Sequence, residues 1–376
     1  MSRHVEGCFS RSNRRTGALG AAVSGLCVAI GLQIAFSATA FADDAQKCST
    51  SPNTLCGVTN VEDLVAIGGT PWAIGSSLAG GSGKTEPLYL FDTKAFTATP
   101  ITASAIALHP DKAIYPDCPS APDFGKFASH GLDFRGASGR GTLYVVNHGG
   151  RESIEVFAVE TPAHGKPALQ WVGCVVAPST AWPDGVTGLP DNGFVATSLW
   201  DPHDKDFIGK LSQAKPVGGL LEWHPKKGWT EIGPSGMSGP NGVTSSTDGK
   251  TLYVNLWAEK KVLKYDRATK AAQTVDVDML ADNVRWSEDR KYLLVGGQDA
   301  SVKAVIDCFE SKAVNCTTPF KIYRLDPASM KLTELVKSGT YDKMGAGTGG
   351  LQVGPDLWVS TFRSDRIVRF PGALAQ

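Results

Sequence analysis

A short strand phrase of the Leu-Tyr-Val type recurs six times in order along this chain. It stands at residues 71–75, 142–146, 193–197, 251–255, 291–295 and 356–360, usually after Gly, Asp, Lys or Asn. Such turn residues followed by β-branched and aromatic runs read as hairpins. A second strand phrase follows each, at 88–92, 154–157, 219–223, 262–266, 322–326 and 367–370. Forty-two glycines and 22 prolines fit a turn-rich β protein. Strand-built repeats of about 55 residues are propeller blades. The spacing therefore predicts an all-β, six-bladed β-propeller, with residues 56–60 supplying the strand that closes the ring. A pair of β-sandwiches is the competing architecture, but it does not account for six similar hairpins in sequence.

Residues 1–42 read as an export signal rather than as part of the fold. Arg11, Arg14 and Arg15 precede an uncharged stretch of small and apolar residues, and Ala40-Phe41-Ala42 forms a small-x-small cleavage box. A retained anchor is the alternative. Arg14-Arg15 is also compatible with twin-arginine export. The expected mature chain, 43–376, is periplasmic or secreted. It carries 33 basic and 36 acidic residues, against 37 of each in the full chain. That balance gives no reason to expect nucleic acid or an anionic membrane as partner. Six cysteines remain after residue 42, with no Cys-x-x-Cys pair. An even number in an exported chain points to disulfides, and Cys308 with Cys316 brackets a short loop.

Polar residues recur about eight to twelve positions before the strand phrases: Glu62-Asp63, His130, Asp184, Asn241 and Asp282-Asn283. In a propeller such positions converge at one mouth of the central channel. Carboxylates and amide carbonyls are hard oxygen donors suited to Ca²⁺, whereas Zn²⁺ or Cu²⁺ would call for His and Cys clusters. Singly, each Asp or Asn is equally a turn residue. The repeated phase points to a central calcium site. No Gly-x-Ser-x-Gly elbow or His-Glu-x-x-His helix is present, which argues against serine-hydrolase and zincin chemistry.

His130-Gly131-Leu132, followed by Leu143-Tyr144-Val145-Val146-Asn147-His148, resembles the paired-histidine segment of the serum paraoxonase/arylesterase family. Val61-Glu62-Asp63-Leu64, Pro240-Asn241-Gly242-Val243 and Ala281-Asp282-Asn283-Val284 resemble that family's calcium motifs. They are similar also to those of gluconolactonase and strictosidine-synthase-like propellers. The resemblance implies a catalytic calcium on Glu62, Asn241, Asp282 and Asn283. It implies a second, structural calcium on Asp63, Asp184 and the Leu132 carbonyl, and a catalytic pair of His130 and His148. Where the family has Asn in blade three, this chain has Pro183. Either water completes the catalytic shell there, or Asp184 serves that ion.

The implied activity is hydrolysis of a lactone or aryl ester, with His130 as general base and His148 passing the proton on. Trp72, Trp182, Trp200 and Trp257 are candidates for an apolar rim. A sugar lactonase, a strictosidine-synthase-like enzyme and a non-catalytic ligand-binding propeller are the other readings.

Overall fold

The computed structural model describes residues 48–80 and 86–375. The expected export signal lies outside them. Six sheets, each built on four antiparallel strands, stand around a central axis, one of them with a fifth strand added. The fold is a six-bladed β-propeller.

The inner strands are Leu64–Ala66, Ser129–Ala137, Pro183–Gly188, Pro240–Ser245, Leu280–Trp286 and Gly347–Val353. Each touches the inner strand of the next blade, and that of blade six touches that of blade one. The Leu-Tyr-Val phrases form the second strands, such as Arg140–Asn147 and Thr251–Leu256. They are covered on both faces by neighbouring blades, so they read as continuous apolar runs rather than alternating ones. Leu143, Val145, Val146, Leu252, Val254 and Leu293 are fully buried. Outermost strands such as Ala272–Asp276 face solvent and are polar.

The ring is closed by Thr54–Cys56, which pairs antiparallel with Arg366–Phe370 at the outer edge of blade six. The closing strand thus begins two residues before the expected 56–60 segment. The latter instead bends inward toward Glu62, with Asn60 N donating to Ser364 O. Blade two carries a fifth strand, Ile106–Leu108, running parallel to Ala168–Val176.

Two insertions cover one mouth of the channel. The first contains helix α1 (Phe207–Ser212), the second helix α2 (Val302–Glu310). Ser301 caps α2 by accepting from Ala304 N. Disulfides join Cys48–Cys56, Cys118–Cys174 and Cys308–Cys316. The last holds the end of α2 to the following loop, as the sequence spacing anticipates. Among the described residues no helix is long and apolar enough to cross a membrane.

Candidate functional site

The site is built by one local device repeated around the ring. In five blades the pairing of inner with second strand slips where the polar position falls: between Ser129 and Leu132, Pro183 and Val186, Pro240 and Val243, Ala281 and Val284, and Gly347 and Gly350. A bulge bends the strand and re-aims side chains. The residues at these bulges are His130-Gly131, Asp184-Gly185, Asn241-Gly242, Asp282-Asn283 and Thr348-Gly349. Glu62-Asp63 occupies the same phase in blade one. The glycines are required by the next blade. A Cβ on Gly185 would lie 2.8 Å from the Asn241 carbonyl, and one on Gly242 would lie 2.5 Å from that of Asp282. Only glycine lets neighbouring inner strands approach so closely.

Polar residues at the ends of the second strands brace the bulges. Thr197 Oγ1 accepts from Gly185 N at 2.8 Å, and Asn255 Nδ2 donates to Asp282 O at 2.8 Å. Gln298 Nε2 donates to Asp282 Oδ2 at 2.7 Å and to Gly347 O at 2.9 Å, while its Oε1 accepts from Trp257 Nε1. Gln298 and Asn255 went unread in the sequence, although each is a lone amide at or next to the end of an apolar strand.

Glu62, His130, Asp184, Asn241 and Asp282 line one cavity. His130 Nε2 stands 3.6 Å from Glu62 Oε2 and 3.9 Å from Asp184 Oδ2. Glu62 is anchored through its other atoms. Its Oε1 accepts from Asn283 Nδ2 at 2.6 Å, and its carbonyl accepts from Asn283 Nδ2 at 3.1 Å and Thr348 Oγ1 at 2.5 Å. Glu62 Oε2 and Asn241 Oδ1 are buried and have no hydrogen-bond partner.

The carboxyls repel one another in a dry place. Burial, then the charges of Asp282, Asp63 and Asp184, push Glu62 well above the usual carboxylate range. Burial and the same neighbouring carboxylates, Asp282 and Asp63, raise Asp184. Burial also pushes Asp282 up to about 8, against the Gln298 hydrogen bond. Burial, then His148, holds His130 well below the ordinary imidazole range, so its ring is neutral at neutral pH. Among the described residues, no group of three or more His, Cys, Asp and Glu side chains is arranged as a ready-made metal cluster. The acidic oxygens here are completed by an amide, Asn241, and two of the oxygens lack any donor.

Arg285, a residue the sequence reading passed over, bonds to groups expected to hold a second cation. Its Nη2 donates to Asp63 Oδ2 and to the Leu132 carbonyl, and its Nε donates to Leu64 O at 3.3 Å. Two of the three groups assigned to a structural calcium are therefore already held by a protein cation. Asp63 Oδ1 and Oδ2 also accept from Leu64 N and Leu132 N, both at 2.8 Å. Asp184, the third, turns to the upper cavity with Glu62 and His130. Asn283 is turned to Glu62 and does not line the cavity.

His130 Nδ1 and His148 Nε2 are hydrogen-bonded at 2.9 Å. Trp182 stacks on the His148 ring with centroids 4.2 Å apart and planes 11° from parallel. Trp200 stacks on Trp182 and Phe207 on Trp200, at 4.3 and 4.6 Å. Trp182, Trp200, Trp257, Phe309 and Phe362 form an apolar roof with Val305 and Ile306 of α2. Three of the four tryptophans singled out in the sequence belong to it. Trp72 does not. It lies beyond the far end of the inner strand of blade one, with Nε1 donating to Gly165 O.

The molecule is thus a six-bladed propeller with a histidine pair and an acidic cluster buried at one capped mouth. No protein-family model matches the chain, and no curated protein does. Several solved structures are similar to it at low identity. A luciferin-regenerating enzyme shares 12% identity, covering 84% of this chain and 95% of that one, with a TM-score of 0.49. A putative gluconolactonase shares 12%, covering 87% and 94%, with a TM-score of 0.47. A catalytically inactive virginiamycin B lyase from Staphylococcus aureus, with quinupristin, shares 15%, covering 81% and 78%, with a TM-score of 0.41.

Proposed function

We propose that this protein is an exported, calcium-dependent hydrolase of lactones or aryl esters. The observation that carries the reading is His130. Its Nδ1 is bonded to a second histidine, while its Nε2 faces Glu62 and Asp184 in a buried cavity. A neutral buried imidazole beside carboxylates is a general base waiting for a water.

The donor set fits a hard cation. Two partnerless buried oxygens, Glu62 Oε2 and Asn241 Oδ1, share a cavity with Asp184 and Asp282. Uncompensated buried carboxylates are costly, and a divalent ion with oxygen ligands relieves that cost. Glu62, Asp184, Asn241 and Asp282 would hold it. When bound, such an ion supplies positive charge for a substrate carbonyl oxygen as negative charge develops there.

The chain's own residues do the rest. His130 Nε2 takes the proton of an attacking water, and the water oxygen adds to the carbonyl carbon. As the ester C–O bond breaks, the proton returns to the leaving oxygen. The aromatic roof excludes bulk water and receives an apolar substrate body. The cavity beneath it is only about 80 Å³, against roughly 300–1,000 Å³ for pockets that hold a drug-sized ligand. A substrate larger than this would need the roof built on α1 and α2 to shift. Three disulfides support export to an oxidising compartment.

The test is a panel of phenyl acetate and γ- and δ-lactones, assayed with Ca²⁺ and with EGTA. Turnover with Ca²⁺, its loss in EGTA and its return on adding calcium are expected. His130→Gln is expected to lower kcat by about 10²–10⁴. Full turnover in EGTA refutes the metal part. Tight calcium binding without turnover of any substrate turns the reading toward a ligand-binding propeller.

A further inference from the structure

A third residue continues the histidine pair. His148 Nδ1 lies 2.5 Å from Glu152 Oε2. The two sit at either end of the turn between the second and third strands of blade two. That turn is rigidly built. Asn147 Nδ2 donates to Gly149 O at 3.1 Å and Arg151 O at 3.3 Å. Arg151 is drawn away from Glu152 by the fully buried Glu155, whose Oε1 accepts from Arg151 Nη2 at 2.7 Å and from Ser153 Oγ at 2.8 Å. The Glu155 Oε2 accepts from Trp171 Nε1 at 2.7 Å. Among the described residues, Glu152 thus faces His148, with its side chain two-thirds covered and that of His148 about nine-tenths covered.

A carboxylate accepts hydrogen bonds and cannot donate them. Its position therefore places a proton on His148 Nδ1. In the neutral ring, His148 Nε2 is then an acceptor, so the proton of the 2.9 Å bond belongs to His130 Nδ1. It follows that His130 Nε2 carries the lone pair, and this is the nitrogen that faces Glu62 and Asp184. Trp182, stacked on His148 with planes 11° from parallel, lies along the plane in which both of its nitrogens make these bonds.

We propose that Glu152 is a positioning residue that fixes the tautomers of both histidines and so sets the direction of proton transfer. A water proton moves to His130 Nε2, and the Nδ1 proton moves to His148 Nε2. The resulting imidazolium charge rests against Glu152, while the hydroxide adds to the substrate carbonyl. The return path delivers the proton to the leaving oxygen. A carboxylate serving an imidazole in this way is a general device.

The kinetic part rests on the hydrolase reading; the tautomer part does not. The experiment is ¹⁵N spectroscopy of ring-labelled histidine in the whole protein, beside kinetics on phenyl acetate. In the wild type, His148 is expected with Nδ1 protonated and Nε2 bare, and His130 the same. Glu152→Gln, whose amide can present a donor to Nδ1, is expected to lose that pattern. Its kcat falls about 10–1,000-fold with KM within about twofold, and Glu152→Asp recovers part of the loss. A wild-type His148 protonated on Nε2 overturns the proposal whatever the turnover. So does a Glu152→Gln protein with unchanged ring signals and unchanged kcat. If no ester is hydrolysed, the ring signals still decide the tautomers, and the hydrolase reading alone fails.

Discussion

The guanidinium of Arg285 bridges the Asp63 carboxylate and the Leu132 carbonyl, joining blades five, one and two across the channel. It does with a side chain what a second metal ion would do. One calcium per chain is therefore expected by isothermal titration, and a stoichiometry of two would overturn this. Arg285→Met leaves Asp63 buried without its partner. A loss of about 3–5 kcal/mol in urea unfolding is expected, the range for breaking one side of a buried pair. A change below about 1 kcal/mol would mean that the bridge carries little.

Calcium should stabilise the protein more at pH 8 than at pH 5. Glu62, Asp184 and Asp282 have raised carboxyls in the fold, Asp282 up to about 8. A raised folded value means that the metal-free fold binds these protons more tightly than the unfolded chain. Their contribution is fully present below the ordinary carboxylate range and is lost as pH rises through the folded values. For Asp282 that window runs from about 4 to about 8. A cation competes with the same protons, so its advantage grows upward through the window. Melting curves with EGTA and with calcium at the two pH values provide the check. At calcium near 100 Kd the gain is about 2.7 kcal/mol. An equal or larger gain at pH 5 would count against the acidic cluster as the ligand set.

Gly242→Ala should damage the site through the backbone. The added methyl meets the Asp282 carbonyl and the Asn283 Cα, and neither can swing aside. A cost of about 1–3 kcal/mol and weaker calcium binding are expected, because Asn241 and Asp282 are pushed apart together. Gly219→Ala, which meets nothing within 4 Å, is the control and should leave calcium affinity unchanged.

Phe309→Ala removes part of the roof on α2. It should lower kcat/KM for a long-chain lactone relative to γ-butyrolactone by about 5–150-fold, the value of about 1–3 kcal/mol of apolar contact. A uniform loss across chain lengths would place Phe309 outside the substrate path.

The ring was legible because blade stacking makes the second strands apolar on both faces, and such runs stand out at residues 142–146 and 251–255. Glu62, Asp184, Asn241 and Asp282 were legible because one phase recurs. Arg285 was not, since it lies two residues past the repeating position and reads as an ordinary strand residue in Asn283-Val284-Arg285-Trp286. Glu152 was hidden for another reason: it acts through His148 across a turn that carries no repeat. The roof was legible only in Trp182, Trp200 and Trp257, because the rest of it is built on α1 and α2, insertions peculiar to two blades. Their sequence shows apolar residues but not the surface they cover.

The strand Thr54–Cys56 lies in the same sheet as Arg366–Phe370. During synthesis the first strand must wait for the last. Glu62 leans on Asn283 and Thr348, residues made more than 200 positions later, so the cage does not exist on a nascent chain. A probe that reports calcium uptake would therefore also time the completion of the circle.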